Sequence, residues 1–266
     1  MKTYWPFQRR AAGMRGRLIV SLDVGTLAEA TKLVQTLRGE VGMFKVGKQL
    51  FMHCGPAVVQ MVRDHGSEVF LDLKFHDVPR TVAKAGVEAT RLGVRMFDLH
   101  ASGSLDMMQR TVNEVGRVCR TENLRRPKVL AVTVLTSLSH DDLQRIGVSG
   151  EIQDQVSRLA LLAKEATMDG VVAPPQEAEP IRKLCGAGFL IVTPGIRPEE
   201  SEPAPSDDYP PATPEAAIRA GADYLVVGQP IRDAADPAAA ARAIVAAMQR
   251  AVATVPEVSL EGPESA

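Results

Sequence analysis

The chain has 266 residues, of which 45% are hydrophobic and 24% are charged, and its formal net charge is −1 at pH 7. This length and composition fit one large globular domain or two small ones. The near-neutral charge provides no basic surface for nucleic acid, and 4% aromatic residues are too few for base-stacking platforms. No apolar run reaches the roughly 18 residues that a membrane-spanning helix needs. We therefore expect neither a nucleic-acid partner nor a membrane.

The two ends of the chain differ in character from its middle. Residues 1–17 are basic but lack the apolar stretch of a secretory signal, and residues 253–266 are predicted to be a frayed tail. One catalytic domain is expected over residues 18–252. The 3 cysteines lie far apart and form no CxxC pair, which favours buried thiols in a reducing cytoplasm over a disulfide framework.

Short apolar segments alternate with helical patterns through this middle region. The segments are nearly continuous in Val, Ile and Leu, which is typical of parallel strands that are covered on both faces. The predicted strands are Leu18–Leu22, Met43–Val46, Glu68–Leu73, Met96–His100, Val129–Val134, Gly170–Ala173, Phe189–Val192 and Tyr224–Val227.

Helical periodicity lies between these strands. The predicted helices are Leu27–Leu37, Pro56–Asp64, Pro79–Leu92, Gln153–Thr167, Glu177–Leu184, Pro214–Ala220 and Pro237–Val252. About eight β/α repeats in roughly 235 residues match a single-domain (β/α)₈ TIM barrel, which we predict. A doubly wound open sheet is the alternative, but residues 22–26 contain no GxGxxG phosphate-binding turn.

The third predicted strand ends in an unusual group of charges. Asp72 and Lys74 stand two residues apart on the strand, and Asp77 lies in the turn that follows. Alternate side chains of a strand share one side, so Asp72 and Lys74 are predicted to point the same way. Charges at the end of an apolar strand are costly to bury, and a buried ion pair is a poor source of stability. A functional role is therefore favoured over an internal ion pair without function.

Polar residues also fall at the ends of other predicted strands, where barrels of this kind carry their chemistry. These residues are Asp23, Lys45, His100, Thr136, Ser137, Arg197 and Gln229. Bland interpretations exist for several of them. Asp23 and Asp77 could merely cap helices, Lys45 could extend to solvent, and Thr136 and Ser137 could be turn residues. His100 is more typical of a structural histidine than of a catalytic base.

Taken together, these residues resemble the orotidine 5′-phosphate decarboxylase family. The resemblance covers about residues 18–250. Its motifs are Asp72-x-Lys74-x-x-Asp77 preceded by Asp23 and Lys45, His76-Asp77-Val78-Pro79-x-Thr81-Val82, Val132-Thr133-Val134-Leu135-Thr136-Ser137 and Thr193-Pro194-Gly195-Ile196-Arg197-Pro198. Sugar-phosphate decarboxylases of the same barrel group share the DxKxxD pattern, but they typically carry an acidic residue where Lys45 stands.

The resemblance implies an activity and a partner. It implies a homodimer of (β/α)₈ barrels that converts orotidine 5′-monophosphate to UMP and CO₂, the last step of de novo pyrimidine biosynthesis, without a metal or an organic cofactor. Lys74 would donate a proton to C6 of the pyrimidine, and Asp72 would lie beside the substrate carboxylate. Lys45 would hold Asp72 and the ribose, and Asp23 would accept ribose hydroxyl hydrogens.

The resemblance also implies roles for residues farther from C6. Asp77 and Thr81 would reach into the neighbouring subunit's site, and Thr136 and Ser137 would meet the pyrimidine edge. The residues expected around the phosphate are Pro194, Gly195, Arg197, Gly228 and Gln229.

This phosphate end departs from the family pattern. The family usually has arginine where Gln229 stands, and a glutamine in the loop where the nearest equivalent is Asp208. The loop Pro194–Pro214 is long and rich in proline, and Pro174 stands where serine is common. A slower or weaker-binding decarboxylase is therefore expected. The alternatives are a sugar-phosphate decarboxylase or epimerase that uses Mg²⁺, and a nucleotide-binding barrel with weakened catalysis.

Overall fold

Eight parallel strands form a closed barrel in which each strand pairs with the next and the eighth pairs with the first. A computed structural model describes residues 11–198 and 212–253. The predicted (β/α)₈ barrel is therefore confirmed, and the alternative of a doubly wound open sheet is wrong. The strands are β1 (Leu18–Ser21), β2 (Met43–Gly47), β3 (Glu68–Phe75), β4 (Met96–His100), β5 (Lys128–Val132), β6 (Gly170–Val172), β7 (Leu190–Thr193) and β8 (Tyr224–Val227).

Helices cover the outside of the barrel. They are α1 (Leu27–Leu37), α2 (Lys48–Cys54), α3 (Ala57–Asp64), α4 (Pro79–Arg91), α5 (Leu105–Thr121), α6 (His140–Arg145), α7 (Ile152–Glu165), α8 (Ala178–Cys185), α9 (Pro214–Arg219), α10 (Gln229–Arg232) and α11 (Pro237–Ala253). In the part of the chain that is described, no helix is both long and apolar enough to cross a bilayer.

The strand periodicity produces two separate apolar layers. One set of side chains points into the barrel and consists of Ile19, Met43, Phe70, Met96, Leu130, Val192 and Val226. The alternate positions, such as Leu18, Phe44 and Phe97, pack outward against the helices and form the larger core. This division explains why the strands read as continuous apolar runs, since both of their faces are buried.

The amino-terminal end of the barrel carries structural ion pairs. Asp223 is buried, accepts the backbone N–H of Ile191 at 2.9 Å and pairs with Arg182. Asp169 accepts the backbone N–H of Val129 at 2.9 Å and pairs with Arg126 at 2.8 Å. Both carboxylates join neighbouring strands away from the carboxyl-end mouth, so their role is to close the barrel.

Several predicted boundaries differ from the structure. Helices α2, α5, α6 and α10 were not among the predicted helices, and β5 ends at Val132 rather than at Val134. Residues 11–17 form a 3₁₀-helix that comes close to Gly42, just before β2, since a side chain at Gly42 would clash with the backbone of Gly16. Residues 1–10 of the predicted extension and 254–266 of the predicted tail lie outside the described residues.

Candidate active site

The inward periodicity of the strands also builds a polar layer at the carboxyl-end mouth. Ile19, Met43, Phe70 and Met96 belong to the apolar layer inside the barrel. Two residues farther along each strand, at the next level, stand Ser21, Lys45, Asp72 and Asp98. Four neighbouring strands, β1 to β4, therefore change from apolar to polar at the same height, as a site at the strand ends requires.

An ion-pair network joins three of these strands. Lys45 lies 3.0 Å from Oδ2 of Asp72 and 3.4 Å from Oδ1 of Asp23, and Lys74 pairs closely with Oδ1 of Asp72. Asp72 and Lys45 are mostly buried, while Asp23 is half exposed. The predicted site residues Asp23, Lys45, Asp72 and Lys74 therefore lie together at one mouth of the barrel. A single carboxylate, Asp72, holds both ammonium groups.

The network fixes the charges of its members. Burial alone would raise the pKa of Asp72, but Lys45, Asp98 and Lys74 together hold that pKa well below its usual range. Burial likewise opposes the charge on Lys45, yet Asp72 and then Asp23 outweigh it and raise the pKa of this ammonium. The site therefore presents the ammonium of Lys45 and the ionised carboxylate of Asp72 at neutral pH.

The backbone around Lys74 is irregular. Leu71 pairs with Phe97 and Phe75 pairs with Leu99, so four steps along β3 match two along β4. Lys74 has φ of 49°, in the left-handed region that non-glycine residues rarely adopt. Such a conformation costs of order 1–3 kcal/mol and persists only where the surroundings impose it. Asp72 and Lys74 both line the cleft. The direction of the Lys74 side chain results from this irregular backbone and not from the regular strand alternation on which the prediction was based.

Asp98 is a site residue that the sequence analysis missed. Its side chain is fully buried, and its Oδ1 accepts the backbone N–H of Lys74 at 2.8 Å. Burial, and then repulsion from Asp72, raise the pKa of Asp98 well above its usual value. A signal was present in the sequence, since a carboxylate two residues after the inward-facing Met96 must also face inward. Asp98 was missed because the prediction considered only polar residues at the ends of strands.

His100 and His76 form a pair at the rim of the site. Their ring centroids are 5.3 Å apart. Burial lowers the pKa of His100 to about 4, with further lowering by His76, Lys48 and Lys74. His100 is therefore neutral near pH 7, which fits the expected structural histidine better than a proton-donating acid.

Asp77 and Thr81 do not join the network within one chain. Both residues are exposed, and Oδ1 of Asp77 accepts the backbone N–H of Val78 at 2.6 Å. Val78 between them is 62% exposed, which is unusual for a large apolar side chain. The ion-pair network of a single chain thus contains Asp23, Lys45, Asp72 and Lys74, but not Asp77, which the motif suggested.

The remaining predicted residues follow strands β5, β7 and β8. Thr136 and Ser137 stand in a turn four and five residues past the end of β5, not at the strand end itself. Pro194, Gly195 and Arg197 follow β7, and Gly228 and Gln229 follow β8. Asp208 lies outside the described residues, so the structure does not bear on its predicted role.

The β8 end lies directly against the network. A Cβ at Gly228 would lie 3.4 Å from Oδ2 of Asp23, at ordinary van der Waals distance, so this residue is a neighbour of the network. Arg232, which the sequence analysis also missed, donates to the backbone carbonyl of Asp23 at 2.9 Å. Gln229 is exposed at the same mouth. The strand order of a closed barrel brings β8 beside β1 in this way, although the two are about 200 residues apart in the chain.

A cleft of about 220 Å³ opens over the charged groups. Its lining includes Asp23, Lys45, Asp72 and Lys74. A larger groove of about 850 Å³ lies between α4 and α5 on the outside of the barrel, away from these residues. Within residues 11–198 and 212–253, no group of three or more His, Cys, Asp or Glu side chains could hold a metal ion.

The arrangement suits one kind of chemistry in particular. An ammonium fixed beside a buried carboxylate can stabilise negative charge that develops on a bound molecule and can then donate a proton to it. Lysine suits this task because its charge is compact and its protons are transferable.

Comparisons with known proteins agree with this site. The family model for "Orotidine 5'-phosphate decarboxylase / HUMPS family" matches residues 16–244. The orotidine 5′-phosphate decarboxylase of Syntrophotalea carbinolica is 52% identical over 238 residues, which cover 90% of this chain and 97% of that protein. The protein of the same name from Geobacter metallireducens is 51% identical over 231 residues, covering 87% and 95%.

A solved structure gives the same result. The crystal structure of orotidine 5′-phosphate decarboxylase from Lactobacillus acidophilus superimposes with a TM-score of 0.77 at 34% identity, over 87% of this chain and 98% of that chain. Sequence, fold and the charged mouth lead to one conclusion: the chain belongs to the orotidine 5′-phosphate decarboxylase / HUMPS family.

Proposed function

We propose that this protein decarboxylates orotidine 5′-monophosphate to UMP and CO₂, the last step of de novo pyrimidine biosynthesis. The observation that carries the proposal is the ammonium of Lys74, held by the buried carboxylate of Asp72 over the cleft at the barrel mouth. The names of relatives at about 50% identity over most of the chain support the same activity.

The chemistry follows from the charges of the cleft. The C6–carboxylate bond breaks, CO₂ leaves, and the electron pair stays on C6 in the plane of the ring. Such a carbanion is unstable because the ring carbonyls cannot delocalise it. In our proposal the ammonium of Lys74 stabilises this charge as it develops and then transfers a proton from Nζ to C6, which leaves UMP and a neutral lysine that solvent reprotonates.

Asp72 and Lys45 prepare the site for this step. Asp72 is ionised, so it would repel the substrate carboxylate, and this repulsion ends when CO₂ departs. Lys45 bridges Asp72 and Asp23, which places a second cation and a hydrogen-bond acceptor where the ribose would lie. The basic residue at position 45 also favours this substrate over the sugar phosphates of related barrels, which typically meet an acidic residue there.

A second copy of the chain is part of the proposal. Asp77 and Thr81 are exposed, as is Val78, and among the described residues none of the three forms a hydrogen bond or ion pair with the side chain of Lys74. We infer a homodimer in which the partner covers this segment and each chain supplies Asp77 and Thr81 to the other's site. The three free cysteines suit a cytoplasmic enzyme, in which thiols stay reduced.

The phosphate would lie at the side formed by β7 and β8. Arg197 and Arg232 are the described cations on this side, while Gln229 adds no charge. Loss of one arginine–phosphate contact costs roughly 1.5–3 kcal/mol, or about ten- to a hundredfold in kcat/KM. A working enzyme with weak substrate binding is therefore expected.

An ultraviolet assay tests the proposed function. Purified protein is mixed with orotidine 5′-monophosphate, and the loss of orotate absorbance is followed with and without a chelator. Conversion to UMP that is unaffected by the chelator supports the proposal. Binding of UMP without any conversion would instead favour a nucleotide-binding barrel, and conversion that the chelator abolishes would refute the cofactor-free mechanism.

A further inference from the structure

Asp98 is a buried carboxyl group that the proposed chemistry does not use. It lies within β4, its side chain is fully buried, and it makes no salt bridge with a lysine or arginine among the described residues. An isolated buried carboxylate is costly, so such a group is kept only where its contacts compensate for the loss of water.

One of its contacts is with the backbone of Lys74. The regular pairing of β3 with β4 is interrupted between Leu71 and Phe75, and within this interruption the N–H of Lys74 donates to Oδ1 of Asp98 at 2.8 Å. The same residue has φ of 49°. The side chain of Asp98 thus takes the place of a backbone acceptor at the one point of β3 where the chain turns into the left-handed region.

Its other oxygen, Oδ2, is buried and accepts no hydrogen bond among the described residues, and the charge of Asp72 acts on this carboxyl group. Two carboxyl groups can form a hydrogen bond only if one of them carries a proton. Asp72 faces two ammonium groups and stays ionised, whereas Asp98 is fully buried and its pKa is raised. The groups that face Asp98 are Asp72 and Lys74 from β3, so the proton belongs on Asp98.

We propose that Asp98, as a neutral acid, is a positioning residue for the proton donor: one oxygen holds the backbone of Lys74, and the hydroxyl holds Asp72. Both partners of the catalytic ion pair are then fixed from one rigid strand. The inference depends on the proposed function only for the identity of the reaction. The hydrogen bond between Asp98 and the backbone of Lys74 does not depend on the substrate.

Two substitutions separate the parts of this role. Asp98→Asn keeps an acceptor for the Lys74 N–H and a donor for Asp72, so kcat should stay within about threefold of the unaltered protein. Asp98→Ala removes both, and kcat should fall about ten- to a hundredfold while UMP affinity changes by less than about threefold. Thr90→Val is a control, because it removes another buried hydrogen bond, to the backbone of Gly86, away from the cleft.

Each outcome decides for or against the proposal. An Asp98→Ala protein with unchanged kcat, or with equal losses of kcat and UMP affinity, overturns it, as does an Asp98→Asn protein that loses as much activity as Asp98→Ala. If Asp98→Ala fails to fold, Asp98→Ser takes its place, because the shorter hydroxyl cannot keep both contacts.

Crystal structures of the variants keep this test separate from that of the proposed function. If Lys74 leaves the left-handed region and loses Asp72 in Asp98→Ala but not in Asp98→Asn, Asp98 positions the ammonium even if orotidine 5′-monophosphate proves not to be the substrate. Unchanged Lys74 coordinates in Asp98→Ala would overturn the positioning role whatever the activity.

Discussion

Replacement of Lys74 by alanine is the most direct perturbation of the proposed chemistry. The substitution removes the proton donor and one of the two cations on Asp72. General acid catalysis contributes about 10²–10⁴ in rate, and electrostatic stabilisation of a developing charge contributes about 10²–10³. Loss of both should lower kcat by at least about 10⁴, which corresponds to about 5–6 kcal/mol in the activation barrier.

The fold should survive this change. Asp72 remains paired with Lys45 at 3.0 Å, so this buried carboxylate keeps a counter-charge. We therefore expect a loss of stability of only about 1–3 kcal/mol, and UMP should still bind.

The assay compares Lys74→Ala with Lys48→Ala. Lys48 lines the same cleft but forms no ion pair with Asp72 in the described structure, so its removal tests the effect of lost charge alone. Decarboxylation by absorbance, UMP binding by calorimetry and thermal unfolding are measured on both proteins. Equal turnover by Lys74→Ala and the unaltered protein would refute the role of Lys74, and equal losses in the two variants would show that only general charge matters.

Three further predictions test other parts of the site. Mixed dimers of Asp77→Ala and Lys74→Ala subunits should regain part of the activity if each chain completes the other's site; no recovery in verified mixed dimers would argue against sharing. Gln229→Arg should tighten UMP binding about ten- to a hundredfold, and unchanged affinity by calorimetry would mean that position 229 does not face the phosphate. His100 is neutral when folded because burial lowers its pKa to about 4, whereas the unfolded chain titrates near 6.5, so stability should fall as the pH drops through this range. His100→Gln should remove about 1–2 kcal/mol of that dependence in urea unfolding, and the same slope in His100→Gln and the unaltered protein would contradict this account.

The ion-pair network is better explained by chemistry than by stability. Desolvation of Lys45 and Asp72 offsets much of their mutual attraction, and a buried pair is often no more stable than apolar residues of similar size. The barrel closes at its other end with Asp169 and Asp223, which bind backbone N–H groups as well as cations. Those carboxylates hold neighbouring strands together. Asp72 instead pairs with Lys45 and Lys74, and all three side chains line an open cleft.

Much of the fold could be predicted from the sequence because strand and helix periods differ. Strands β4 and β8 and helix α1 have the predicted bounds. Helix α5 was missed although its buried side chains, such as Met108, Thr111 and Val115, follow a helical period. Its many charged residues hid this period, although Ser104 caps its start. Short helices such as α10 depend on the closed barrel rather than on local sequence.

The site was only partly predictable, and the reason is geometric. Asp72, Lys74 and Lys45 could be found because each stands near the end of an apolar strand. The bulge that sets φ of Lys74 at 49° has no local signature, since it depends on how β3 registers with β4. Asp98 contacts Lys74 through that register, and the role proposed for Asp77 depends on a second copy of the chain. The charged residues that line the cleft can therefore be predicted from the sequence. The residues that position those charges can be identified only from the three-dimensional alignment of neighbouring strands.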